Sequence, residues 1–278
     1  RRTVDDSKYI RVKYIPKGEV MRAPLTKLAR PSGALAMVAV DQREALRGMF
    51  ASHQSTPVPD SQLTQFKVDV ARELSPYASA LLVDQEFGID AIINQGALKG
   101  NCGLIAAADL LVGPAGGAAT DTAVDPDVDP IRMRDINSVG LKFLVLWRND
   151  ESPDERAKLV AEFNKLCQIS GLPSIIEIIV KPPTDTSRSF DREEELIIAA
   201  REAATWKPDL YKAEVPFHGE GDQALITRNA ERISEAIGSP WVVLSNGVKQ
   251  QFFNDAVKAC AIGGASGFLA GRAVWADI

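Results

Sequence analysis

The chain has 278 residues, of which 45% are hydrophobic and 25% charged, with a formal net charge of −5. That balance describes a globular protein with a substantial buried core, in one large domain or two ordinary ones, and excludes collagen-like and low-complexity architectures. The negative charge argues against nucleic acid or an anionic membrane as partner, so an anionic ligand must be held by local cations.

The first twenty residues are polar and mixed in charge. They read as an N-terminal extension (1–20) ahead of a catalytic domain over 21–278. From Gly33 onward, short unbroken apolar runs alternate with amphipathic segments. The runs fall at 34–41, 80–84, 103–109, 141–147, 174–180, 210–215, 241–245 and 267–271. Continuous hydrophobicity is what a parallel strand buried on both faces requires. Helices are predicted over 61–74, 153–170, 191–205, 222–238 and 250–263. Ser152 followed by Pro153, Asp154 and Glu155 is a strong helix start. Asp191 with Glu194 has capping-box spacing, and Gly171 and Gly238 suit left-handed helix ends.

Eight runs alternating with helices predict a (β/α)8 barrel, an α/β TIM barrel. A doubly wound open sheet is the alternative, weakened because no glycine-rich dinucleotide fingerprint follows any run. The eighth run ends close to Ile278, so an eighth helix is expected to be absent. A face left uncovered there would favour a homo-oligomer.

Two histidines, His53 and His218, and three dispersed cysteines give no zinc-ligand cluster and no disulfide framework. The reading is therefore no metal, no cofactor and a reducing cytoplasm. No apolar run approaches the roughly 20 residues that span a bilayer.

In a barrel the chemistry sits at the C-terminal strand ends, so polar residues set into apolar runs are informative. Lys212 stands among apolar neighbours, and a lysine deprived of hydration suits nucleophilic attack on a ketone to form a Schiff base. The alternative is a strand-edge lysine reaching for solvent. Glu177, flanked by four isoleucines, must be paired or functional, because burying it alone costs several kcal/mol. A structural ion pair, with Lys142 or an arginine, is its other reading. Asp41 and Gln42 end the first run, where they suit substrate hydroxyls or a helix cap. Ser245 and Gly247 after the seventh run, with Gly271 and Arg272 after the eighth, suit an anion.

Six ordered blocks carry a closer resemblance. They are Val40-Asp41-Gln42-Arg43-Glu44-Ala45, Leu74-Ser75-Pro76-Tyr77-Ala78-Ser79-Ala80, Leu144-Val145-Leu146-Trp147-Arg148, Phe190-Asp191-Arg192-Glu193, Asp209-Leu210-Tyr211-Lys212 and Gly267-Phe268-Leu269-Ala270-Gly271-Arg272-Ala273-Val274-Trp275. Together, from Gly33 to the C-terminus, they resemble the class I aldolases of the tagatose 1,6-bisphosphate aldolase family, most of all its sulfosugar branch, the 6-deoxy-6-sulfofructose 1-phosphate aldolases. The resemblance implies metal-free retro-aldol cleavage of a phosphorylated ketose, with dihydroxyacetone phosphate as one product. It implies Lys212 as the Schiff-base lysine, Glu177 as the acid/base, Lys142 as a second active-site lysine, and Asp41 and Gln42 as substrate contacts. Ser245, Gly271 and Arg272 match phosphate-binding loops, and Arg43 or Arg148 is expected to meet the anion at C6. A regulatory protein on the same scaffold, or an isomerase or epimerase on the same barrel, are the competing classes.

Overall fold

The computed structural model describes residues 25–276, and the N-terminal extension expected over 1–20 lies outside them. A 3-10 turn at Leu25–Leu28 leads to β1 (Leu35–Ala39), α1 (Glu44–Ala51) and α2 (Asp60–Leu74). Next come β2 (Ala80–Val83), α3 (Asp90–Asn94), β3 (Gly103–Ala107), a hairpin of β4 (Asp109–Val112) and β5 (Asp121–Val124), and α4 (Pro130–Asp135). The rest alternates: β6 (Ser138–Trp147), α5 (Pro153–Ser170), β7 (Ser174–Val180), α6 (Arg192–Thr205), β8 (Leu210–Glu214) and α7 (Gln223–Ile237). It ends with β9 (Trp241–Leu244), α8 (Gln250–Ile262), β10 (Gly267–Ala270) and α9 (Arg272–Trp275).

Eight parallel strands close in the order β1-β10-β9-β8-β7-β6-β3-β2, the barrel expected from the alternating runs. Strand alternation sorts the apolar residues into two layers. Leu35, Met37, Ala80, Leu82, Ile105, Ile175, Leu210, Val242 and Leu269 fill the interior, and Leu28 of the N-terminal turn joins them. Their neighbours, among them Val38, Leu81, Phe143, Ile176, Ile178, Tyr211 and Val243, pack outward against the helices.

The predicted helix signals act as expected. Ser152 Oγ accepts from Glu155 N–H, and Gly171 (φ 71°) and Gly238 (φ 63°) close α5 and α7 in the left-handed conformation. Asp191 accepts from the N–H groups of Glu193 and Glu194. The Glu194 carboxylate does not return the bond; it pairs with Arg232 on α7 at 2.6 Å, so tertiary pairing replaces half of the capping box.

Two features differ from the sequence reading. The 103–109 run does not stay in the barrel: it breaks after Ala107, and Asp109 starts the β4–β5 hairpin. Behind β10 the chain forms the helical turn α9, so this seam is not bare. Trp275 is 1% exposed, donates its indole N–H to Ala39 O at 2.8 Å and meets Phe66 of α2 edge-on. That packing weakens the argument for an oligomer built on an uncovered strand-eight face.

Candidate active site

The alternation that buries the isoleucines of β7 on both faces also turns Glu177 inward, level with Leu144 on β6 and Lys212 on β8. Lys142 stands one inward position below Leu144. These residues line a cleft at the C-terminal ends of the strands with Asp41, Gln42, Leu111, Ile179, Ser245, Asn246, Gly271 and Arg272.

The polar centre is a compact cage. Lys142 Nζ lies 2.9 Å from Asp41 Oδ2, 2.9 Å from Asp109 Oδ2 and 2.8 Å from Glu177 Oε2. Lys212 Nζ lies 2.9 Å from the same Glu177 oxygen. Two amines therefore share one carboxylate oxygen, and all five side chains of the cage are buried. Burial alone would push the Lys142 amine down, but Asp109, Asp41 and Glu177 outweigh it and hold its pKa well above the usual lysine value. Burial likewise opposes the charge on Asp41, yet Lys142 and Lys212 draw its carboxyl far below the ordinary range.

Asp109, to which the sequence reading gave no role, completes the cage. Where β3 leaves the barrel, its carboxylate accepts from Leu144 N–H at 3.0 Å and replaces a lost strand partner. Arg43 binds the other Asp109 oxygen at 3.2 Å. This arginine is buried; Asp109, Asp84 and Asp41 offset that burial and raise its pKa further. Arg43 therefore supports the cage and is not among the cleft-lining residues.

Lys67 of α2 fixes the end of β1 from behind. Its amine, with no exposure, donates to Val40 O and Gln42 O at 2.6 Å each and pairs with the equally buried Asp84. These bonds hold the backbone on either side of Asp41. Gln42 Oε1 is buried without a hydrogen-bond partner, an acceptor open to a substrate hydroxyl.

Across the cleft, Arg272 Nη2 donates to Asn246 Oδ1 at 3.0 Å, and Asn246 Nδ2 donates to Glu214 Oε1 at 3.0 Å. Ser245 stands beside them. Gly271 has to be glycine, since a Cβ would lie 2.7 Å from Ala39 O and 2.8 Å from Gln42 Nε2. Gly247, at φ 72°, shapes the turn in which Val248 N–H donates to Ser245 O, and it does not line the cleft. Arg148 lies outside the lining as well, paired with Glu151 at 2.7 Å. The structure thus gathers Lys212, Glu177, Lys142, Asp41, Gln42, Ser245, Gly271 and Arg272 into one cleft, and sets Arg43, Arg148 and Gly247 around it. Asp109, Asn246 and Glu214 had no assigned role in the sequence reading.

Among the described residues no group of three or more His, Cys, Asp or Glu side chains is arranged to hold a metal ion. No described helix is long and apolar enough to cross a membrane.

A closed (β/α)8 barrel with a buried lysine–carboxylate centre at its open end is an architecture that can support lysine-dependent carbon–carbon bond chemistry. Residues 35–277 match the DeoC/LacD family aldolase model, and the chain belongs to that family; it is a class I aldolase. It is 30% identical to tagatose 1,6-diphosphate aldolase 1 of Enterococcus faecalis, over 93% of this chain and 85% of that one. Its fold is similar to the fructose-bisphosphate aldolase of Slackia heliotrinireducens, with a TM-score of 0.64 and 21% identity, over 87% of this chain and 75% of the other. A Schiff-base-forming fructose-1,6-bisphosphate aldolase superposes with a TM-score of 0.60 at 12% identity, covering 90% of this chain and 91% of that one.

Proposed function

We propose that this aldolase cleaves 6-deoxy-6-sulfofructose 1-phosphate to dihydroxyacetone phosphate and sulfolactaldehyde, as a cytoplasmic step of sulfoquinovose breakdown. The observation that carries the chemistry is the convergence of Lys212 and Lys142 on one oxygen of Glu177, at 2.9 and 2.8 Å.

In this reading the C1 phosphate lies between β9 and β10, against Ser245, Asn246, Gly271 and Arg272. Lys212 attacks C2 of the open-chain ketose, and Glu177 moves the protons that turn the carbinolamine into a protonated imine. The imine draws the electrons of the C3–C4 bond as the C4 hydroxyl loses its proton. The aldehyde leaves, and protonation and hydrolysis of the enamine release dihydroxyacetone phosphate. Lys142 supplies a fixed positive charge beside the developing oxyanions. Asp41 and Gln42 hold substrate hydroxyls.

Three observations support the sulfonate. The resemblance blocks include Trp147-Arg148, and the wall facing the aldehyde half carries Leu111, Leu144 and Ile179. Arg43 and Arg148, the arginines expected at C6, are engaged by Asp109 and Glu151. A monoanion is less demanding there than a phosphate close to a dianion. Arg148 reaches C6 only by releasing Glu151. The second reading, tagatose 1,6-bisphosphate, rests on relatives that bear that name.

Cleavage of the two ketoses, each with excess EDTA, separates the readings. We expect kcat/KM for the sulfosugar to exceed that for the bisphosphate by ~100-fold, or about 2.7 kcal/mol at ~1.36 kcal/mol per decade. Comparable rates, or a preference for the bisphosphate, would move the enzyme to the tagatose reaction.

A further inference from the structure

The order of strands orients the substrate proposed above. With C1 phosphate at β9 and β10 and the reacting amine on β8, the far end of the ketose points toward β7 and β6. Ile179 and Leu144 line the cleft there, and neither holds an anion.

The next position of the same phase on this strand is a cation at the rim, Lys181, which like Arg148 is outside the residues that line the cleft. On β7, Ile176, Ile178 and Val180 pack outward, whereas Ile175 belongs to the interior and Glu177 and Ile179 line the cleft. The ladder continues past the last strand residue, because Lys181 N–H donates to Trp147 O at 2.8 Å. Lys181 therefore keeps the inward phase, two residues or about 6.6 Å above Ile179. It is half-buried at the rim. Pro182 and Pro183 follow it and stiffen the turn away from the strand.

Its charge is also available. Around the same mouth Lys142 and Lys212 are held by the carboxylate cage, Arg43 by Asp109, Arg148 by Glu151 and Arg192 by Glu193 and Glu214. Arg188 donates to Asn149 O and faces Asp185. Among the described residues Lys181 has no carboxylate within ion-pair distance. A half-buried ammonium on the inward phase, above an apolar wall, is suited to a partner that arrives with the substrate.

We propose that Lys181 is the specificity-determining residue for the aldehyde half, pairing with an anionic group on its terminal carbon. Sulfonate and phosphate share that chemistry, and one ammonium balances the first more completely than the second. The assignment rests on the aldolase reading above, with the C1 phosphate at Arg272.

The test compares wild type, Lys181→Met and Lys181→Arg on three ketose 1-phosphates that carry a sulfonate, a phosphate or a plain hydroxyl at C6. Methionine keeps most of the length of the side chain and removes the charge. We expect Lys181→Met to lose roughly 10- to 100-fold in kcat/KM on both anionic ketoses, mainly through KM, in the range of truncated charge pairs. Its rate on fructose 1-phosphate should stay within about twofold, and Lys181→Arg should recover most of the loss. Equal losses on all three ketoses, or none on any, would overturn the role of Lys181 while leaving the aldolase reading intact. A wild-type enzyme that cleaves none of the three would overturn that reading, and this assignment with it.

Discussion

Replacing Lys212 by methionine is expected to lower kcat for ketose cleavage by roughly 10⁴-fold or more, about 5.4 kcal/mol at ~1.36 kcal/mol per decade. Methionine fills most of the space of the lysine stem and cannot form an imine. Glu177 keeps its contact with Lys142 at 2.8 Å, so the carboxylate left behind is still paired and the fold should persist. The signature is a lost chemical step in an intact barrel: near-normal unfolding in urea beside a missing turnover. A variant that retains more than a tenth of wild-type kcat would mean that Lys212 is not the nucleophile.

Lys142→Met should have the opposite balance, with stability lost as heavily as activity. Its amine is the common partner of Asp41, Asp109 and Glu177, all buried. Removing the cation leaves Asp41 without its ion-pair partner, beside Glu177 and Asp109 that keep only Lys212 and Arg43, and breaking a buried pair costs about 3–5 kcal/mol. The pH dependence gives this prediction its sign. In the wild type the Lys142 pKa is raised in the folded state. Its contribution is therefore fully present below the unfolded value of about 10.4, and lost only as the pH climbs through the folded value. Asp41 is lowered, so its contribution is present above about 3.9 and lost as the pH falls through a still lower folded value. Neither group titrates between pH 5 and 9. In the variant burial still opposes the charge on Asp41 while the cation that most lowers its carboxyl is gone, so Asp41 takes up a proton more readily in the folded state than in the unfolded one. The variant's Tm should then rise as the pH is lowered from 7 to 5, while that of the wild type does not. Parallel curves for the two proteins would show that Lys142 does not hold the cage together.

The barrel and the residues at the centre of its candidate site were legible in the sequence for the same reason. Strands buried on both faces need unbroken apolar runs, and against that background Glu177 and Lys212 stand out. Asp109 was hidden because it closes the run 103–109, where a carboxylate also reads as an ordinary strand end. Its role depends on β3 leaving the barrel, and on contacts with Lys142, Leu144 and Arg43 that no local pattern reveals. The β4–β5 hairpin was missed because each strand has four residues, too few for a clear period. The glycines of Gly113-Pro114-Ala115-Gly116-Gly117 were the available signal. Arg43 and Arg148 show the limit in the other direction: the sequence marks an arginine near a site, and only the fold shows which carboxylate has already claimed it.

If Lys212 forms the Schiff base, borohydride traps it there. The protein is incubated with dihydroxyacetone phosphate and excess EDTA, reduced, digested and mapped by mass spectrometry. One stable adduct is expected, on the peptide containing Lys212, and it should be absent from Lys212→Met. No adduct, or one that persists on Lys142 in that variant, would contradict that role for Lys212.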